Sequence, residues 1–206
     1  MKQEGGAPGS RQLPFDVRRS TFDVRCSLLL LCAFVLLSLN LGSAKAQVSR
    51  EYQLKAVFLY NFAQFTDWPT NAFADDKLPL VIGIIGPDPF GSALEETIRN
   101  ETVAGHPLTI QHYPSPADIK TCHILFITQP EVRHVDEILK AIDRKPVLTV
   151  SDADNPATAQ VMIRFAVENN KVHFRINTEA ARAANVSLSS KLLRVAEAAP
   201  SRRSAP

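Results

Sequence analysis

The chain has 206 residues, with 23 Lys and Arg against 21 Asp and Glu, a formal charge of +2 and a sequence pI of about 8.5. Residues 1–46 hold 6 of the basic and 3 of the acidic groups, so the remainder carries 17 against 18 and is close to neutral. That balance excludes the clustered basic face that nucleic acid requires.

In chain order, the first element is the apolar run 27–41, "SLLLLCAFVLLSLNL", with Arg18, Arg19 and Arg25 before it and Ala44-Lys45-Ala46 after it. It reads as a secretory signal peptide, with cleavage expected after Ala46. The run is short for a spanning helix, which needs roughly 20 residues, and no second run of that kind follows. "RRSTF" at 18–22 only approximates a twin-arginine signal, so ordinary export is expected. Cleavage removes Cys26 and Cys32 and leaves Cys122 alone, which excludes an internal disulfide. A lone thiol in an oxidising compartment is either buried or a route to an intermolecular bridge. Cys122 opens the apolar run "CHILFI", so burial is the expectation.

"KAVFLYNFAQFTDWP" (55–69) predicts a helix with an apolar stripe of Leu54, Val57, Phe58, Phe62, Phe65 and Trp68, ended by Trp68-Pro69. Asn61, inside that stripe, is expected to bond to neighbouring backbone. Ala56, Leu59, Tyr60 and Ala63 form a weaker patch on the other side, which is assigned to a partner subunit or a second helix. "LPLVIGII" (78–85) follows as a strand buried on both faces, then "DPFGSALEETIRN" (88–100) as a helix with Asp88 as N-cap. "HPLTIQHY" (106–113) is a strand, "SPADIKTC" a short helix or turn, and "HILFIT" (123–128) a buried strand. An amphipathic helix is predicted over 130–143, beginning at Pro130, then a buried strand over 146–152.

This alternation predicts an α/β fold: a largely parallel sheet with helices on both faces. "VMIRFAVENNKVHFRIN" (161–177) predicts an antiparallel edge hairpin turning at 168–171. A C-terminal helix is predicted from Thr178, as N-cap, to Glu197. The chain thus divides into a cleaved segment 1–46, one domain over 47–197 and a disordered tail over 198–206.

Two loops are candidate ligand rims because they leave the carboxyl ends of parallel strands. They are 86–91, with Asp88 and Phe90, and 151–156, with Asp152 and Asp154. The competing reading for both is plain turn formation. On the last helix, Ser190 and Lys191 are further candidates for partner contact. His106, His112, His123, His134 and His173 show no HxH or HxxxH spacing, and no G-x-S-x-G elbow is present. No enzyme, metal or cofactor is therefore expected.

"KAVFLYNFAQFTDWP", "IIGPDPFG", "CHILFI", "PVLTVSD", "MIRF", "VHFRIN" and "SLSSKLLRVA", in this order, resemble the YfiR-like family of periplasmic proteins over most of 52–196. The resemblance implies a non-enzymatic, dimeric regulator. It would bind the periplasmic sensor region of an inner-membrane diguanylate cyclase and hold it inactive, lowering cyclic-di-GMP and biofilm formation. It also implies a cysteine partner for Cys122 at a position held here by Gly83, and a "GGMI" before the hairpin where this chain reads "AQVMI" (159–163). A periplasmic small-ligand-binding module using the two loops is the alternative.

Overall fold

The computed structural model describes residues 50–69, 72, 73, 75, 78–143 and 145–197. The expected signal segment and tail lie outside them. Among the described residues no helix is long and apolar enough to cross a membrane.

β-branched runs bounded by Pro, Gly and polar turns build the sheet, because branched side chains fit a pleated, buried surface. Its strands are β2 (Leu80–Ile85), β3 (Thr102–Val103), β4 (His106–Tyr113), β5 (Ile124–Ile127), β6 (Leu148–Ser151), β7 (Ile163–Glu168) and β8 (Lys171–Ile176). A separate two-stranded ribbon joins β1 (Thr66–Asp67) to β9 (Ser187–Leu188). The main sheet has the order β3-β4-β2-β5-β6-β7-β8. Neighbours from β4 to β7 run parallel, whereas β3 and β8 close the two edges as antiparallel hairpin strands. The β7–β8 turn places Asn169 (φ 50°) and Asn170 (φ 63°) in the left-handed region, as a two-residue hairpin of this hand requires.

Side-chain alternation along the strands separates two cores. Ile82, Ile84, Ile124, Phe126, Leu148, Val150, Ile163 and Phe165 face one of them. It is covered by α1 (50–64), α2 (Ser92–Ile98), α4 (Thr178–Ala183) and α5 (Ser190–Glu197). Ile85, Leu125 and Ile127 face the other, covered by α3 (Val135–Ala141). Helices on both faces of a mainly parallel sheet are what the alternating pattern predicts.

Three helical expectations change in detail. The segment 130–143 begins as a 3₁₀ helix, Gln129–His134, and becomes α-helical only at Val135. The single helix expected over 178–197 is broken: α4 ends at Ala183, Asn185 just beyond it is left-handed (φ 56°), β9 pairs with β1, and α5 then starts afresh. Val186 is buried and its N–H reaches back to Ala181 O (2.9 Å), so the break is fixed by packing as well as by turn chemistry. The cap of α4 is Asn177, whose side chain accepts from Glu179 N and Ala180 N, and not Thr178.

The largest change is the rotation of α1. Its buried face is Lys55, Ala56, Leu59, Phe62 and Ala63, while Leu54 and Val57 stay 43% and 44% exposed. Two alanines let the helix approach the sheet, and Phe62 then inserts against Phe165 (5.7 Å between centroids) and Phe174 (5.0 Å). Hydropathy alone turns Lys55 outward; here its side chain is only 2% exposed, with the ammonium paired with Glu51 Oε1 (2.5 Å) and held over the rings of Tyr52 and Phe165. Asn61 is half-buried at the flank of this face, and no side-chain bond from it to strand backbone occurs among the described residues.

At the amino ends of the strands Phe73 lies between two imidazoles, 3.7 Å from His106 and 4.5 Å from His123. His123 Nδ1 accepts from Val81 N (3.0 Å), so its Nε2 carries the proton that it donates to Ala72 O (3.1 Å). This arrangement requires the neutral ring, and burial holds its pKa below the ordinary histidine value. Such a group stabilises the fold above its unfolded pKa of about 6.5, and that stabilisation is lost as pH falls through the lowered folded value.

Replacing Phe62 by Ala should cost about 3–5 kcal/mol, read from urea unfolding at pH 7. In the same assay the wild type should lose stability from pH 7 to 5 more steeply than His123→Asn; equal slopes would refute the assigned protonation.

Candidate functional site

The order of the strands reverses between β2 and β5, and the crevice beyond their carboxyl ends is where such sheets usually take ligands. In this chain that crevice is filled. Gly86, at φ 93°, opens the loop after β2, and a Cβ there would fall 2.2 Å from Thr128 Oγ1 and 2.7 Å from Glu131 Cγ. Thr128 is buried, and its hydroxyl donates to Ile85 O (3.0 Å). The loop after β5 therefore packs directly onto the loop after β2.

Asp88 does not cap α2. Its Oδ1 accepts from Phe90 N (2.7 Å) and its Oδ2 pairs with His112 Nε2 (2.9 Å), while Gly91 (φ 57°) takes the N-cap position without a side-chain bond. Asp88 is consumed by its own turn and by His112. It lines a cleft of about 440 Å³ between α2 and β4, which includes neither Asp152 nor Asp154. Phe90 turns inward and packs on Phe126 (4.8 Å) and edge-on to Tyr52 (5.5 Å).

Phe90 and Asp152 are thus brought together, through a residue that the sequence reading did not single out. The Tyr52 hydroxyl donates to Asp152 Oδ2 (2.7 Å). Burial raises the pKa of the Asp152 carboxyl, opposed by that hydrogen bond and by the charge of Lys55. Burial and the adjacent Asp152 raise that of Tyr52 as well. Glu51, Tyr52, Lys55 and Asp152 therefore form one enclosed polar cluster under the amino-terminal half of α1. Asp152 Oδ1 is buried without a hydrogen-bond partner. The one signal for the cluster in the sequence is the i, i+4 pair Glu51 and Lys55.

Asp154 belongs to a second arrangement. Its carboxylate is shared by Arg164 Nη1 (3.3 Å) and Arg175 Nη1 (2.8 Å), and Arg175 also reaches Glu168 Oε1 (3.3 Å). A carboxylate already engaged by two guanidiniums is spoken for as a ligand. Among the described residues no group of three or more His, Cys, Asp or Glu is placed to hold a metal ion.

The partner surface assigned to Leu59 and Ala63 is corrected: both are completely buried, because they lie on the side of α1 that meets the sheet. Tyr60 sits on the flank, where its hydroxyl donates to Glu101 Oε2 (2.5 Å) and accepts from Gln64 Nε2 (2.5 Å). Ser190 and Lys191 are exposed at the start of α5, with the Lys191 ammonium 4.6 Å above the Phe65 ring. The large apolar side chains that α1 leaves in solvent are Leu54 and Val57, one helical turn apart; α5 leaves Val195 exposed.

Cys122 is a free, half-buried thiol. It lies against Gly83, where an added Cβ would be 2.7 Å from its sulfur and 2.5 Å from Tyr113 Cε2. The ring of Tyr113 fills the space beside Gly83, and its hydroxyl donates to Thr121 O. Burial pushes the thiol pKa up to about 12.

Compared with known families, residues 52–197 match the family described as YfiR/HmsC-like. No curated protein matches the chain significantly.

Because burial disfavours the charged form of Asp152, its raised pKa is a stabilisation present below the unfolded value of about 3.9 and lost as pH rises through the folded one. Asp152→Asn, which keeps an acceptor for Tyr52, should therefore unfold at higher urea than wild type at pH 7, with the gap closing at pH 4. Asp152→Ala strands the Tyr52 hydroxyl and should cost about 1–3 kcal/mol. A wild type more stable than Asp152→Asn at pH 7 would contradict the assignment.

Proposed function

The chain belongs to the YfiR/HmsC-like family, and from that premise we propose that it is a periplasmic regulatory binding protein, not an enzyme. It binds the periplasmic sensor region of an inner-membrane diguanylate cyclase and holds the cyclase inactive, lowering cyclic-di-GMP and restraining biofilm formation. The observation that carries the reading is the family match across the domain, 52–197. A second supports a protein partner: the crevice that would serve a small substrate is packed with Thr128 and Glu131 side chains around Gly86.

The surface for that partner is the outer side of α1. Leu54 and Val57 are exposed on a helix whose opposite side is anchored by Leu59 and Phe62. An apolar contact there would not disturb the core. Val195 on α5 offers a further apolar contact to the cyclase or to a second copy of the chain.

The test is a pull-down from host membranes with the protein as bait, alongside cellular cyclic-di-GMP after deletion of the gene. Recovery of a membrane diguanylate cyclase with a rise in the nucleotide supports the reading; neither effect would remove it. Joint replacement of Leu54 and Val57 by Asp should lower recovery about tenfold or more, while stability changes by only about 0.5 kcal/mol, as for other surface substitutions. Leu59→Asp should instead unfold the domain, because it buries an unpaired carboxylate. Undiminished recovery with the double variant would exclude this side of α1.

A further inference from the structure

At the end of the sheet opposite the packed crevice lies a cleft of about 480 Å³, within the 300–1,000 Å³ range of small-molecule sites. It opens where the chain enters β2, β5 and β6. Its walls are apolar, from Val81, Val147 and Phe73. The Phe73 ring is held rigidly between His106 and His123. Both nitrogens of His123 are already satisfied, by Val81 N and Ala72 O, so that ring acts as a neutral wall.

The charged groups lining the cleft are Lys120 and Lys145, with no Asp or Glu among the described lining residues. Two further clefts differ in this respect: Asp143 and Glu179 line one, which Lys145 also borders, and Asp88 and Glu95 line the other. Lys145 Nζ is steadied by donating to Ile119 O (3.3 Å), which leaves further donors on the ammonium. Two lysines lining a mainly apolar cleft, with no carboxylate among its described lining residues, favour an anion whose remainder is apolar.

We infer that this cleft binds a small amphiphilic monoanion, with a carboxylate head between Lys120 and Lys145 and an apolar body against Phe73, Val81 and Val147. A zwitterion would bring its own cation to the lysines and is disfavoured. The site is independent of the partner surface on α1, and the inference does not rest on the proposed regulatory role.

Trp68 is the one tryptophan in the chain and stands edge-on to His123, 5.9 Å between ring centroids, so its fluorescence reports on the cleft wall. The protein as isolated from its host is titrated with octanoate and with neutral octanamide, by fluorescence and by calorimetry. Octanoate should bind saturably and octanamide about tenfold or more weakly, as loss of a charge-assisted hydrogen bond implies. Lys120→Glu should weaken octanoate by at least the same factor and leave octanamide unchanged. Thr121→Phe, a substitution at an exposed lining position, should abolish both by filling the mouth. Unchanged circular dichroism and melting confirm that these surface variants fold. No saturable binding of octanoate, equal affinity for the two probes, or binding indifferent to Lys120→Glu and Thr121→Phe would each overturn the inference.

Discussion

Phe62 entering between Phe165 and Phe174 is the contact on which the rest of the architecture depends. It brings the first described helix onto the last two strands of the sheet, and Phe58 enlarges the cluster by touching the same two rings. Once that contact is made, the end of α1 is placed to pair β1 with β9 and to receive Ser189 N at Phe65 O (2.9 Å). The position of α5 follows from the same ribbon. Aromatic pairs add about 0.5–1.5 kcal/mol beyond their buried area, so the cluster is a large share of a net stability of roughly 5–15 kcal/mol.

The same docking explains a buried lysine. With Ala56, Leu59 and Phe62 facing the sheet, the side chain one step before Ala56 has to follow them inward. The cost of enclosing its ammonium is offset by Glu51 and by two aromatic faces. Asp152 at the end of β6 completes this enclosure, so the amino-terminal half of α1 is held by polar contacts and its middle by apolar ones. The two ends of the sheet consequently differ in character. The carboxyl end is closed, by Gly86 against Thr128 and by the cluster around Tyr52, whereas the amino end retains an open, basic cleft.

Much of the sheet was legible in the sequence because its strands are continuous β-branched runs bounded by Pro, Gly and Asn. The order of elements, the two-sided burial and the Asn169-Asn170 turn all follow from local rules. What depended on partners across the chain was not legible. The face of α1 was misplaced by treating Lys55 as polar and large residues as the natural contact, although close packing favoured Ala56 and Ala63. The segment 178–197 has helical periodicity throughout; the left-handed Asn185 and the pairing of Ser187-Leu188 with Thr66-Asp67 are decided by tertiary structure. Of the rim residues, Asp152 and Phe90 do meet, but through Tyr52, whose role arises from a contact across 100 residues. Asp88 and Asp154 are taken up by His112 and by two arginines, pairings that no spacing in the sequence announces.

The distance along the chain between α1 and its bed also sets a timetable. A ribosome delivers residues from the amino terminus at about 5–20 per second, so α1 is finished about 5–20 s before β7 and β8 exist to receive it. For that interval Phe58 and Phe62 stack on each other but lack Phe165 and Phe174. The helix that anchors the finished domain therefore keeps its aromatic side uncovered until the final hairpin arrives.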